Sequence, residues 1–164
     1  MIKKILLGIA IILILVQFIR PAKNLSADTS ADISKKYAVP ADVKAILERS
    51  CNDCHSNKTV YPWYSEVQPV EWWLNNHIVE GKRHLNLNSF SALRAAQQKK
   101  KMEDCMEQIK KGEMPLPSYL IIHKNAILSE TDKQTLNGWC QQIIDTLKAN
   151  YPPDSLILKR PKRD

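Results

Sequence analysis

The sequence predicts an all-α fold, on three observations. Only four of its 164 residues are glycine, too few for an architecture built on many tight β-turns. Its nine prolines fall between apolar-periodic runs, where they act as stops. Within those runs the apolar residues recur at three- and four-residue intervals, the period of a helix and not of a strand. A composition of 44% hydrophobic and 25% charged residues is that of an ordinary globular chain, with room for one domain plus extensions. About four helices with long connections are expected.

Residues 1–20 come first. Lys3 and Lys4 precede an apolar run, Ile5–Ile19, interrupted by Gln17. At about 1.5 Å per residue this run reaches roughly 22 Å, at the lower limit for a ~30 Å hydrocarbon core. It reads as a membrane anchor or the apolar part of a signal sequence. Arg20, Pro21 and Lys23 stand where a small-x-small cleavage site would follow, which favours an uncleaved anchor with the lysines on the cytoplasmic side. On either reading the remainder is exported, where thiols tend to be oxidised or chemically occupied.

Residues 21–39 are polar and small and read as a linker. From Pro40 a helix places Val43, Ile46, Leu47, Cys51 and Cys54 on one face. The segment YPWYSEVQP is an aromatic, proline-bounded loop. A second helix runs from Val70 to about His84, with Trp73, His77 and His84 on a shared face. Ser89 or Ser91 can cap a third, which Gly112 stops and which buries Met102, Cys105, Met106 and Ile109. Ser129 and Asp132 form a capping box for the last, with Leu136, Trp139, Cys140, Ile143, Ile144 and Leu147 as its apolar stripe. The domain therefore covers 40–150, and 151–164 form a basic tail with Lys159, Arg160, Lys162 and Arg163. The formal charge is +7, but no aromatic-basic interleaving or nucleic-acid motif accompanies it, so no nucleic-acid partner is expected.

The stretch CNDCH, residues 51–55, carries the chemistry. Zinc needs four ligands, and no second pair at zinc spacing exists, since His77 and His84 are seven apart. A redox dithiol needs its CxxC at a helix N-terminus after a strand, and this one ends a helical pattern. The third reading is covalent haem: two thiols add across the porphyrin vinyl groups, and the adjoining histidine meets the iron. An export signal accompanies the motif, and c-type haem is attached outside the cytoplasm. His55 is then the proximal ligand.

The sixth iron position decides the function. Met114, in the proline-stiffened GEMPLPSY loop, is the expected ligand, a soft thioether that raises the potential. His77, His84 and His123 are the competitors. Trp73 is a candidate for walling the haem, although burial in the core would give it the same sequence pattern. Cys105 and Cys140 read equally as two inert buried thiols or as a disulfide between helices.

Three blocks, CNDCHSNKTVYPWY, PVEWWLNNHIVEGKRHLN and GEMPLPSYLIIHKNAILSETDKQTLNGW, resemble the bacterial haem-binding domain family, over roughly residues 40–140. The resemblance implies a small cytochrome c-like bundle, one haem c per chain held on Cys51 and Cys54, and His55 as the proximal ligand. The Met114–Pro115 pair is similar to the distal-methionine loop of class I cytochromes c. Where the family pattern closes LNxSxW with tryptophan, this chain has Phe90.

These readings combine into an expectation. The chain is a monohaem c-type cytochrome that transfers single electrons to redox partner proteins. It is anchored in the bacterial inner membrane with its haem domain facing the periplasm, and has no small-molecule substrate and no catalytic residue. The alternatives are a haem-based sensor or peroxidase-associated module with a labile distal ligand, and a non-haem zinc or structural domain.

Overall fold

The computed structural model describes residues 1–158 and is all-helical there. Seven α-helices occur among the described residues: α1 Ile2–Leu15, α2 Ala41–Ser50, α3 Asn52–His55, α4 Val70–His84, α5 Ala95–Lys111, α6 Pro117–Leu120 and α7 Glu130–Asn150. Four of them, α2, α4, α5 and α7, have ten residues or more within the expected domain. These are the four helices that the periodicity predicts, and α3 and α6 are single turns between them. The cationic side chains Lys159, Arg160, Lys162 and Arg163 lie outside the described residues.

The core forms where α2, α5 and α7 meet. All six stripe residues of α7, from Leu136 to Leu147, are buried, and they pack with Val43, Ile46 and Leu47 of α2 and Met102 and Ile109 of α5. Each such aliphatic side chain contributes about 1.5–3 kcal/mol relative to leaving it in water. The capping box forms as expected: the Ser129 hydroxyl accepts from the Asp132 N–H at 3.1 Å, and the Asp132 carboxylate accepts from the Ser129 N–H at 2.9 Å. Gly112 closes α5 in the left-handed conformation, with φ 71°, and the Glu113 N–H reaches the Gln108 carbonyl.

Three expectations change. The third helix is not capped by Ser89 or Ser91 but starts at Ala95, because residues 87–92 form a 3-10 stretch. Three residues per turn bring Leu87 and Phe90 to one side, and both are buried there. Phe90 is fully buried with its ring edge-on to Tyr37 at 6.1 Å.

The second change concerns the 21–39 segment, which is docked onto the domain. Ile33 and Tyr37 belong to the core. The Tyr37 hydroxyl donates to buried Gln98 of α5 at 2.6 Å, and the Trp139 indole donates to the Ala38 carbonyl at 3.0 Å. Further upstream, Asn24 bonds Ser56, Thr59, Tyr61 and Lys82. Polar composition concealed this, since two apolar residues four apart give too short a pattern to register.

The third is the extent of the helix in residues 1–20. The helix α1 has 14 residues, including Lys3 and Lys4, and covers the apolar run only as far as Leu15, after which a 3-10 turn, Val16–Phe18, follows. No helix among the described residues is long and apolar enough to cross a membrane. No residue of α1 is buried. Its end is held to the domain: Gln17 exchanges hydrogen bonds with Gln68, the Ile19 carbonyl accepts from Gln68 and from the Trp72 indole, and Arg20 pairs with Glu66 at 2.8 Å.

Gly138 lies in the exposed middle of α7, and a Cβ there meets nothing within 4 Å. Gly138→Ala is therefore expected to stabilise the protein by about 0.5–1 kcal/mol, the cost of helical glycine, visible as a raised denaturation midpoint at unchanged denaturant slope.

Candidate functional site

The helix α2 ends at Ser50 because Cys51 leaves helical geometry, with φ −130° and ψ −41°. The two cysteines therefore do not continue one stripe. Cys51 stays against the core, while α3 turns Cys54 and His55 toward α4. What lets α3 approach so closely is Gly81 of α4. A Cβ on Gly81 would stand 2.8 Å from the Cys54 carbonyl oxygen and 3.1 Å from its Cβ. The glycine lies on the inward side of α4, beyond buried Glu71, Leu74 and Ile78.

His55 Nδ1 lies 2.8 Å from the Leu85 carbonyl oxygen. A carbonyl only accepts, so Nδ1 carries the proton and Nε2 presents its lone pair. Leu85 is the C-terminal cap of α4, and its extended backbone takes that carbonyl out of the helical ladder. Burial holds the His55 pKa below its ordinary value, so the ring is neutral at pH 7. The residues after it are fixed in the same way: the Asn57 N–H donates to the Asn88 side chain at 2.7 Å, and the Asn86 amide donates to that of Asn57 at 2.8 Å. The motif thus leans on the Leu85–Asn88 segment.

Between the cysteines, Asp53 fastens the turn to two other segments. Its Oδ2 accepts from Tyr119 of α6 at 2.8 Å, and its Oδ1 accepts from the Val60 N–H at 3.2 Å. Burial and the Asp53 contact together hold the Tyr119 hydroxyl protonated. Tyr119 stacks flat on His123 with ring centroids 4.1 Å apart, and His123 Nε2 lies 2.7 Å from the Tyr64 hydroxyl.

Burial pushes the Cys51 thiol up to about 12 and the Cys54 thiol up to about 11, so both stay S–H at neutral pH. Such thiols are poor redox nucleophiles, a role that needs the thiolate. No group of three or more His, Cys, Asp or Glu that could hold a metal ion exists among the described residues. The zinc reading therefore finds no donor set.

A model of the haem-binding domain family matches residues 11–142. The chain belongs to the haem-binding domain family. No curated protein and no solved structure matches it. The residues of the turn suit the cofactor that this family binds. A protonated thiol supplies both atoms that add across a vinyl double bond, and a neutral imidazole with its Nδ1 committed offers Nε2 as a ligand.

The other expected residues of this haem-binding domain are placed as follows. Met114 is half-buried in the turn between α5 and α6. It precedes Tyr119 by five residues, so it lies within about 17 Å of the Tyr119 backbone, whose side chain bonds Asp53 of the motif. Trp73 is turned outward, 46% exposed, and packs on His77 with ring centroids 4.3 Å apart. The face shared by Trp73, His77 and His84 is the outer one, because Glu71, Leu74 and Ile78 occupy the inner face. His77 Nδ1 donates to the Trp73 carbonyl, and His84 is mostly exposed beside Glu80. Of the competing histidines, His123 alone is linked to the motif through side chains. Cys105 and Cys140 are free thiols that meet between α5 and α7, where their hydrogen bond and burial hold Cys140 protonated. A groove lined by Met106, Lys133 and Asn137 between the same helices shares no residue with CNDCH.

Sequence reasoning missed Gly81, Leu85, Asn86, Asn88 and Tyr119. The signal for the asparagines is the LNLN repeat, whose alternate polar residues have no place in a helical stripe.

Proposed function

We propose that this haem-binding protein is a monohaem c-type cytochrome that carries single electrons on the outer face of the bacterial inner membrane, where α1 holds it. The observation that carries the reading is the committed tautomer of His55. With its Nδ1–H held by the Leu85 carbonyl, the one free ring nitrogen belongs to a residue directly after the paired thiols Cys51 and Cys54. Cys51 and Cys54 would hold the porphyrin by thioether bonds, and His55 would ligate the iron. Haem, once bound, supplies the one-electron iron couple.

The chain's own residues do the positioning. Leu85 and the Asn57–Asn86 pair orient His55, Gly81 leaves room for Cys54, and Asp53 with Tyr119 fixes the far side of the turn. Met114 is the proposed sixth ligand. A closed iron with a thioether on one side and imidazole on the other suits exchange of electrons with partner proteins and leaves no position for substrate. Once haem is attached, electron exchange at this arrangement needs no proton transfer by a side chain.

Met114→Ala tests that assignment. The variant is expected to keep its haem, to show a lower midpoint potential within the roughly 0.8 V range set by axial ligands, and to bind carbon monoxide in the ferrous state. An unchanged spectrum would move the sixth ligand to a histidine. His123 is then the first candidate, because its stacking on Tyr119 links it to Asp53. A sensor or peroxidase-associated role would be favoured by a wild-type iron that already binds carbon monoxide.

A further inference from the structure

The end of the apolar helix α1 is not a free tether. Within four residues, Gln17, Ile19 and Arg20 make hydrogen bonds to Gln68, to the Trp72 indole at 2.9 Å and to Glu66, and Arg20 also stands 3.7 Å from buried Glu71. Lys23 pairs with Glu66 as well. Next to this latch the domain exposes large apolar side chains. Trp63 is 80% exposed and begins the 3-10 turn that ends in Glu66; Val67 precedes Gln68; Trp73 adjoins Trp72. Phe18 and Ile19, at the end of the apolar run, are also exposed.

We infer that this face, residues 63–73 around the base of α1, lies in the headgroup region of a lipid bilayer and fixes the orientation of the haem-binding domain on the membrane. The inference rests on the proposal that α1 enters the membrane. Tryptophan favours this depth, where its ring is apolar and its N–H stays wet, and three of the chain's four tryptophans stand here. Trp139 is the fourth, and it is buried in the core.

Helix length points the same way. The apolar part of α1 with the following 3-10 turn, residues 5–18, reaches about 22 Å, well short of a ~30 Å hydrocarbon core. A short apolar segment is accommodated by local thinning and by lysines that reach back to the interface, here Lys3 and Lys4. That leaves no slack for a domain standing off the surface, and the latch provides none. Arg20 and Lys23 place positive charge at the same level, suited to anionic headgroups.

The test uses the full, haem-loaded chain in vesicles of phosphatidylethanolamine and phosphatidylglycerol. One phospholipid probe carries an aryl diazirine on its acyl chain, and a second carries it at the headgroup. After illumination, labelled peptides are mapped. The expected result is acyl-chain labelling of α1 and headgroup labelling of 63–73, severalfold above that of the exposed faces of α5 and α7. Labelled α1 with 63–73 at background would overturn the docking face and leave the anchor standing. Unlabelled α1 would overturn the membrane reading itself, and this inference with it.

Discussion

Cys51→Ala combined with Cys54→Ala is expected to give a chain that carries no haem through a denaturing gel. The thioether bonds are the only covalent link proposed, and no other cysteine can replace them. Cys105 and Cys140 are engaged with each other between α5 and α7, and neither is followed by histidine. The single variants should each retain haem in reduced yield through the remaining thioether. Peroxidase staining of the gel reads the effect directly. A haem-bearing band of full intensity from the double variant would remove the attachment claim.

Gly81→Ala is the second large effect. Its added Cβ would fall 2.8 Å from the Cys54 carbonyl oxygen, and that atom is backbone, so no rotamer relieves the clash. Either α3 withdraws from α4 or α4 shifts, and both move the segment on which Cys54 and His55 stand. Overpacking of this kind costs about 1–3 kcal/mol, against about 0.5–1 kcal/mol gained from replacing a helical glycine. The variant is expected to melt lower than the parent and to be recovered with less covalent haem. Gly138→Ala, with open space around it, should move the melting point the other way. If both substitutions raise it, the close approach of α3 to α4 does not exist in solution.

The sequence shows the domain best where one periodicity runs long enough. The α7 stripe and capping box, the α2 face as far as Leu47 and the glycine stop of α5 are where the spacing places them, whereas the α2 stripe breaks at Cys51, where the backbone leaves helical geometry. Reading fails where a structure is held by backbone groups. The Leu85 carbonyl that sets the His55 tautomer has no side-chain signature, and any residue at position 85 would supply it. Gly81 is equally silent, as one glycine inside a good helical pattern looks like a tolerated defect. Trp73 misleads for a different reason: an aromatic at a helical spacing from two histidines suggests a shared site, but the same helix has Glu71, Leu74 and Ile78 for its inner face. The 21–39 segment is misread because its two buried side chains, Ile33 and Tyr37, sit among polar neighbours. For the site, the motif itself is legible and its supports are not.

The haem-binding family assignment and the free Nε2 of His55 meet in one claim: haem is covalently held on Cys51 and Cys54. Its most direct measurement is the pyridine haemochrome spectrum of the protein exported from a host competent in haem attachment, taken before and after extraction with acidified acetone. The account predicts a c-type haemochrome that stays with the protein through extraction, at one haem per chain. Haem that leaves in the acetone, or a colourless protein from that host, would contradict it.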